Sequence, residues 1–214
     1  MGLVHPGVPR RLALWLRDRL GAQVFVETGT NLASTITWAA QNFDRAITVE
    51  ADKGLYDRAR VRLAPFANVE LLFGSSDQQL VPIVAGLSGP GVMWLDAHWS
   101  GEGTAGIEME CPLLQEIDAV DAGAFQHVVL IDDARLFVNP PRQPHKQEHW
   151  PAIGDVVAKL HARFPDAYVM IFDDVIVRVP ATLQAPLERF VAREYEPGHS
   201  LRRWLRQLRP PTAA

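Results

Sequence analysis

The sequence predicts an α/β fold: a doubly wound, mostly parallel seven-stranded sheet with helices on both faces and a C-terminal antiparallel hairpin. Two observations carry this. Short β-branched or aromatic runs at Val24–Glu27, Ala46–Glu50, Val69–Phe73, Val92–Asp96, Val128–Asp132 and Tyr168–Phe172 alternate with helix-length stretches. Continuous apolar strands joined by helical crossovers mark a parallel sheet covered on both faces. The alternation then breaks, because Asp173-Asp174 alone separates Tyr168–Phe172 from Val175–Val179. No helix fits there, so the last two strands pair antiparallel on a tight turn.

Taken in order, residues 10–20 place Leu12, Trp15, Leu16 and Leu20 on one helical face, with Gly21 able to end the helix. Helical patterning returns at Ser34–Asn42, Gly54–Leu63, Gln78–Ala85, Pro112–Val120 and Ile153–Phe164. Two long loops, Ser100–Glu110 and Asn139–Pro151, follow the fourth and fifth strands. In open α/β sheets ligands bind at those strand ends, and loops of this length are more often functional than idle. Arg142, His145, His149 and Trp150 are therefore candidate recognition groups. The tail Leu201–Arg209, LRRWLRQLR, reads as a short basic amphipathic helix. The expected organisation is one domain over 1–214: an N-terminal helix to residue 20, a core over 21–180 and a helical tail over 181–214.

Composition narrows the function classes. One cysteine, Cys111, among 214 residues excludes an internal disulfide and a multi-cysteine metal site, and a reducing, cytoplasmic home is expected. A net charge of −4 leaves no footprint of a dedicated nucleic-acid binder. No apolar run approaches 18 residues and mean hydropathy is −0.02, so no spanning helix is expected. The N-terminus lacks the charged start and apolar stretch of a signal peptide. The N-terminal helix and the Arg-rich tail offer surfaces for a homodimer.

Chemistry gathers where strands end. In Glu27-Thr-Gly-Thr-Asn31, Gly29 permits a tight turn and close approach of a ligand, while Ser34 and Thr35 are placed to cap the following helix. The run lacks the three-glycine dinucleotide fingerprint and the P-loop lysine. Glu27 would repel a phosphate and suits an ammonium. Glu50 lies 21 residues after Gly29, where an acid grips the two hydroxyls of a ribose. Ser75, Ser76 and Asp77 serve either as helix caps or as contacts to a base. Asp96 and His98 close the fourth strand, and Asp132 and Asp133 the fifth. Clustered acids are costly without a cation, so Asp96, Asp132 and Asp133 are candidate ligands of Mg²⁺ or a similar hard ion. The alternative is that Asp133 pairs with Arg135 and His98 is a packed, hydrogen-bonded histidine.

The order VETGTNLAST, TVEAD, FGSSDQQ, MWLDAHWS, LIDDAR, then a terminal hairpin, resembles the class I S-adenosylmethionine-dependent methyltransferases over roughly residues 20–180. The resemblance is closest to the metal-dependent O-methyltransferases, of catechol type and bacterial sugar or macrolide type. It implies a Rossmann-like methyltransferase fold, S-adenosylmethionine as cofactor, a divalent metal, and a small-molecule or sugar hydroxyl as methyl acceptor. It also implies that Glu27 meets the methionine ammonium beside Thr28, Gly29, Thr30, Asn31, Ser34 and Thr35. Glu50 with Ala51 would hold the ribose, and Ser75, Ser76 and Asp77 would lie near the adenine. Asp96, Asp132 and Asp133 would bind the metal. His98 would lie between cofactor and substrate, with Asp96 and His98 catalytic. Two departures stand out. Ala33 replaces the usual second glycine, and Ser100 stands where the catechol group carries its lysine base. A metal-assisted hydroxylase or hydrolase on the same scaffold, and a non-catalytic binding domain, are the rival readings.

Overall fold

The computed structural model describes residues 7–99 and 109–194. Most of the first long loop and the tail read as a helix over 201–209 lie outside the described residues.

The chain runs α1 (Arg10–Leu20), β1 (Val24–Thr28), α2 (Ser34–Ala40), β2 (Arg45–Glu50), α3 (Lys53–Leu63), β3 (Val69–Phe73), α4 (Ser76–Ala85) and β4 (Val92–Leu95). It continues through α5 (Leu113–Asp121), β5 (Val128–Ile131), α6 (Ala134–Val138), α7 (Ile153–Ala162), β6 (Tyr168–Phe172), β7 (Val175–Val179) and α8 (Gln184–Glu194). The strands form one seven-stranded sheet in the order β3-β2-β1-β4-β5-β7-β6. The first five strands pair parallel; β7 pairs antiparallel with both β5 and β6. Asp173 and Asp174 take φ of 47° and 69° at the hairpin. Two consecutive left-handed residues are what a two-residue turn needs to match strand twist, and aspartate tolerates that region.

Alternation along each strand divides the core in two. Phe25, Ala46, Val92, Trp94, Val128 and Leu130 face one layer, which α1, α2, α3 and α8 cover. Val26, Ile47, Met93, Leu95, Val129 and Ile131 face the other, covered by α4, α5, α6 and α7. Strands apolar on both faces cannot be edges, which places β1, β4 and β5 in the middle.

Helix ends are closed mostly by backbone geometry. Gly21 ends α1 in the left-handed region, φ 66°, its N–H bonded to the Arg17 carbonyl. Asp52 caps α3 by accepting from the Leu55 N–H at 2.8 Å. The caps expected elsewhere are absent. Ala33, not Ser34 or Thr35, holds the N-cap position of α2, and Ser75 precedes α4 without a side-chain cap bond. At α2, a left-handed Ala33 (φ 57°) already turns the chain into the helix.

Candidate active site

The strand order reverses between β1 and β4. Outside the carboxyl ends of such neighbours a crevice opens, because their crossovers leave in opposite directions. Thr28 lies opposite Leu95 at this switch, and the Thr28 hydroxyl accepts from the Asp96 N–H at 3.1 Å. The loop after β1 alternates left-handed residues, with Gly29, Asn31 and Ala33 at φ of 80°, 47° and 57°. Only Gly29 is forced by space. A Cβ there would sit 2.5 Å from the Asp96 carbonyl oxygen.

Around this loop lies a cavity of about 250 Å³. Seven of the expected residues line it: Glu27, Gly29, Thr30, Asn31, Ser34, Thr35 and Asp96. Gly7, Val8, Arg10 and Leu32 line it as well. Sequence reading missed Arg10, which belongs to a helix far from any strand end and reaches the site only because α1 packs back across the sheet. Its guanidinium stacks over Trp38, 5.7 Å from the ring centroid. Thr28, Glu50, Ala51, Ser75, Ser76, Asp77 and His98 lie outside that wall. Glu50 adjoins it, since its carboxylate accepts the Asn31 N–H at 2.8 Å and the Asp52 N–H at 2.9 Å. Glu50 thus fixes the first loop to the end of β2.

The acids beneath the cavity are electrostatically unbalanced. Glu27 is 2% exposed. Burial raises its pKa well above the usual range, and the neighbouring acids Asp96 and Glu50 add to this. Thr48 donates to Glu27 at 2.8 Å, and its oxygen lies 2.7 Å from the Thr30 hydroxyl. Asp96 is pushed up to about 8, by burial first, with His98 opposing and Asp132 and Asp133 adding to the rise. The folded protein therefore holds a proton at Asp96 that the unfolded chain gives up near pH ~4, so this group's contribution to stability falls as pH rises between those values. A cationic ligand beside Asp96 would oppose the upward pKa shift and favour its ionised form. Glu116 on α5, also missed in the sequence, is buried close to Thr28 and Ser76, and burial raises its pKa too. Its Oε1 has no hydrogen-bond partner among the described residues.

The ends of β4 and β5 assemble differently from the expected metal shell. His98 stands between the acids, with Nε2 3.1 Å from Asp133 Oδ2 and Nδ1 3.6 Å from Asp96 Oδ1. Asp133 Oδ1 lies 2.6 Å from the Arg135 guanidinium, which also pairs with Asp174. Asp132 Oδ1 accepts the Asp133 N–H at 2.8 Å. Burial opposes charging the His98 ring, but Asp133, Asp96 and Asp132 outweigh it and raise its pKa. Burial also raises Asp132, to about 6, with Asp133 adding to it. Among the described residues no group of three or more His, Cys, Asp or Glu is arranged to hold a metal ion. Asp96, Asp132 and Asp133, the expected metal ligands, end neighbouring strands; Asp133 pairs with His98 and with Arg135.

His145, His149 and Trp150 turn toward Glu110 rather than the cavity. Among the described residues no helix is long and apolar enough to cross a membrane.

No protein-family model and no curated protein sequence matches the chain. Solved structures do. One, provisionally named a caffeoyl-CoA O-methyltransferase, from Staphylococcus aureus, aligns with TM-score 0.61 at 14% identity over 84% of this chain and 86% of its own. An O-methyltransferase from Bacillus cereus, solved with S-adenosylhomocysteine, aligns with TM-score 0.56 at 18% identity over 81% of each chain. The Podospora anserina methyltransferase PaMTH1, also bound to S-adenosylhomocysteine, aligns with TM-score 0.52 at 17% identity over 78% of this chain and 75% of its own. The fold is the methyltransferase fold. Within it, the Gly29 loop lies at the switch point and the Asp96–His98–Asp133 group one strand further along.

Proposed function

We propose that this chain transfers a methyl group from S-adenosylmethionine to a hydroxyl of a small molecule or sugar. One observation carries the reading: buried Glu27 and part-buried Asp96 line the Gly29 switch-point cavity, and buried Glu50 adjoins it through the Asn31 N–H. That is an acceptor set for an ammonium and a ribose, and a poor one for phosphates. The fold neighbours solved with S-adenosylhomocysteine support it.

When bound, S-adenosylmethionine supplies a methyl group activated on a cationic sulfur. Glu27 and Asp96 receive the ammonium, and Arg10 at the cavity wall faces the carboxylate. Glu50 keeps lone pairs for the ribose hydroxyls after its two backbone bonds. Thr28, Thr30, Asn31, Ser34 and Thr35 shape the loop, while Ala51, Ser75, Ser76 and Asp77 flank the nucleoside end. Asp133 accepts from His98 Nε2–H and so makes Nδ1 the proton-accepting nitrogen. As the acceptor oxygen takes the methyl group, its proton passes to that nitrogen, and Asp96 and Asp133 stabilise the imidazolium formed. The missing lysine base is thereby replaced. These roles need no divalent metal: Asp133 pairs with His98 and Arg135, and Asp132 accepts the Asp133 N–H.

Transfer of label from [methyl-³H]S-adenosylmethionine to a panel of catechols, phenols and deoxysugars tests this. His98→Gln lowers the rate roughly 10²- to 10⁴-fold, while cofactor affinity stays at the wild-type value. Equal rates for variant and wild type would remove His98 from the chemistry. No labelled ether with any acceptor would remove O-methylation.

A further inference from the structure

We propose that Glu110 is a positioning residue: through Trp150 it fixes the ring plane of His98. This rests on the methyl-transfer reading above, in which His98 receives the proton.

Glu110 is 1% exposed, yet carries a carboxylate. Its Oε2 accepts from the Trp150 indole N–H at 3.0 Å and lies 3.2 Å from His145 Nδ1. Its Oε1 accepts the Lys146 N–H at 3.0 Å, and its carbonyl accepts the Trp99 N–H at 2.7 Å. A buried charge is tolerable only when donors surround it, and charge-assisted bonds are stronger and more directional than neutral ones. Burial pushes the Glu110 pKa up, but the bonds from Trp150, Lys146 and His145 outweigh it and hold it low. Glu110 thus ties the exit of β4 at Trp99 to the segment 145–150, which follows α6.

Trp150 transmits the constraint. It is 5% exposed, and its ring packs 6.1 Å from Phe137 of α6 and 5.4 Å from His98, centroid to centroid, at 57° to the imidazole. Asp133 and Asp96 face the two nitrogens of His98. Trp150 packs against the ring, and the indole in turn is oriented by its one N–H on Glu110. Glutamine cannot substitute fully. Its amide nitrogen would face either the indole or the Lys146 N–H, donor against donor.

The test is the ¹⁵N imidazole spectrum of His98, assigned among seven histidines by its loss in His98→Gln. Glu110→Gln, and Glu110→Ala if it folds, shift and broaden the His98 signals toward those of an unrestrained imidazole. The same variants lower kcat for methyl transfer roughly 10- to 100-fold with KM for S-adenosylmethionine within about twofold. S-adenosylhomocysteine affinity stays unchanged in calorimetry. A purely structural Glu110 would lower Tm and leave the His98 spectrum as in wild type, and an unchanged spectrum in Glu110→Gln overturns the proposal. Failure of wild type to bind S-adenosylhomocysteine would instead strike the methyl-transfer reading, since the spectrum reports on positioning without the cofactor.

Discussion

Gly29→Ala is expected to abolish cofactor binding and to destabilise the fold by about 3–5 kcal/mol. Two costs add. The residue sits at φ 80°, where an L side chain is strained by about 1–2 kcal/mol. The added methyl would also lie 2.5 Å from the Asp96 carbonyl oxygen and 3.2 Å from the Ala97 Cα. Both are backbone atoms at the end of β4, so relief requires β1 and β4 to part where the crevice opens. Ala33 in the same loop shows that a left-handed alanine is accommodated where space exists. At Gly29 there is none. A thermal melt reads the effect as a drop in Tm of roughly 10 °C or more. Wild-type Tm with wild-type cofactor affinity would show that the close approach of loop and strand is not required.

Arg178→Ala has the next largest expected effect, and it falls on stability alone. Arg178 is fully buried in β7 on the α5–α7 side. Its guanidinium donates twice to Asp121, at 2.7 and 2.6 Å, once to the Leu160 carbonyl at 3.3 Å, and lies over the Phe164 ring. Removing it strands the Asp121 carboxylate among apolar neighbours, which costs about 3–5 kcal/mol. Replacing both partners, as Arg178→Met with Asp121→Leu, recovers most of that loss, since two desolvated charges are exchanged for packed apolar groups. Denaturant unfolding at fixed m-value measures both. A loss under about 1 kcal/mol for Arg178→Ala would mean that solvent reaches Asp121.

The same residue marks the limit of what the sequence discloses. The run VIVRV is legible as a strand, and its place after the Asp173-Asp174 turn as a hairpin. That the arginine points into a core layer is not, because its partner Asp121 lies 57 positions away on a helix. The parallel sheet was legible because β1, β4 and β5 are apolar on both faces. The switch-point loop was legible because a tight turn with close backbone approach demands glycine at a fixed offset. What spacing conceals is rotamer and partner. Asp96, Asp132 and Asp133 end neighbouring strands, with His98 between Asp96 and Asp133 and Arg135 between Asp133 and Asp174. Loop length marks the Ser100–Glu110 segment, but the burial of the Glu110 side chain follows only from its donors, which spacing does not reveal. Helix α6 spans five residues, too few to show a period.

Calorimetric titration of S-adenosylmethionine into the protein at pH 7, repeated in buffers of different ionisation enthalpy, tests most directly whether the Glu27–Gly29–Glu50 slot receives this cofactor. The expected result is one saturable site whose heat varies with the buffer, because the ammonium expels the proton held at Asp96, whose pKa is raised to about 8. Glu50→Ala abolishes or severely weakens that site. An absence of binding in wild type, or undiminished binding in Glu50→Ala, would contradict it.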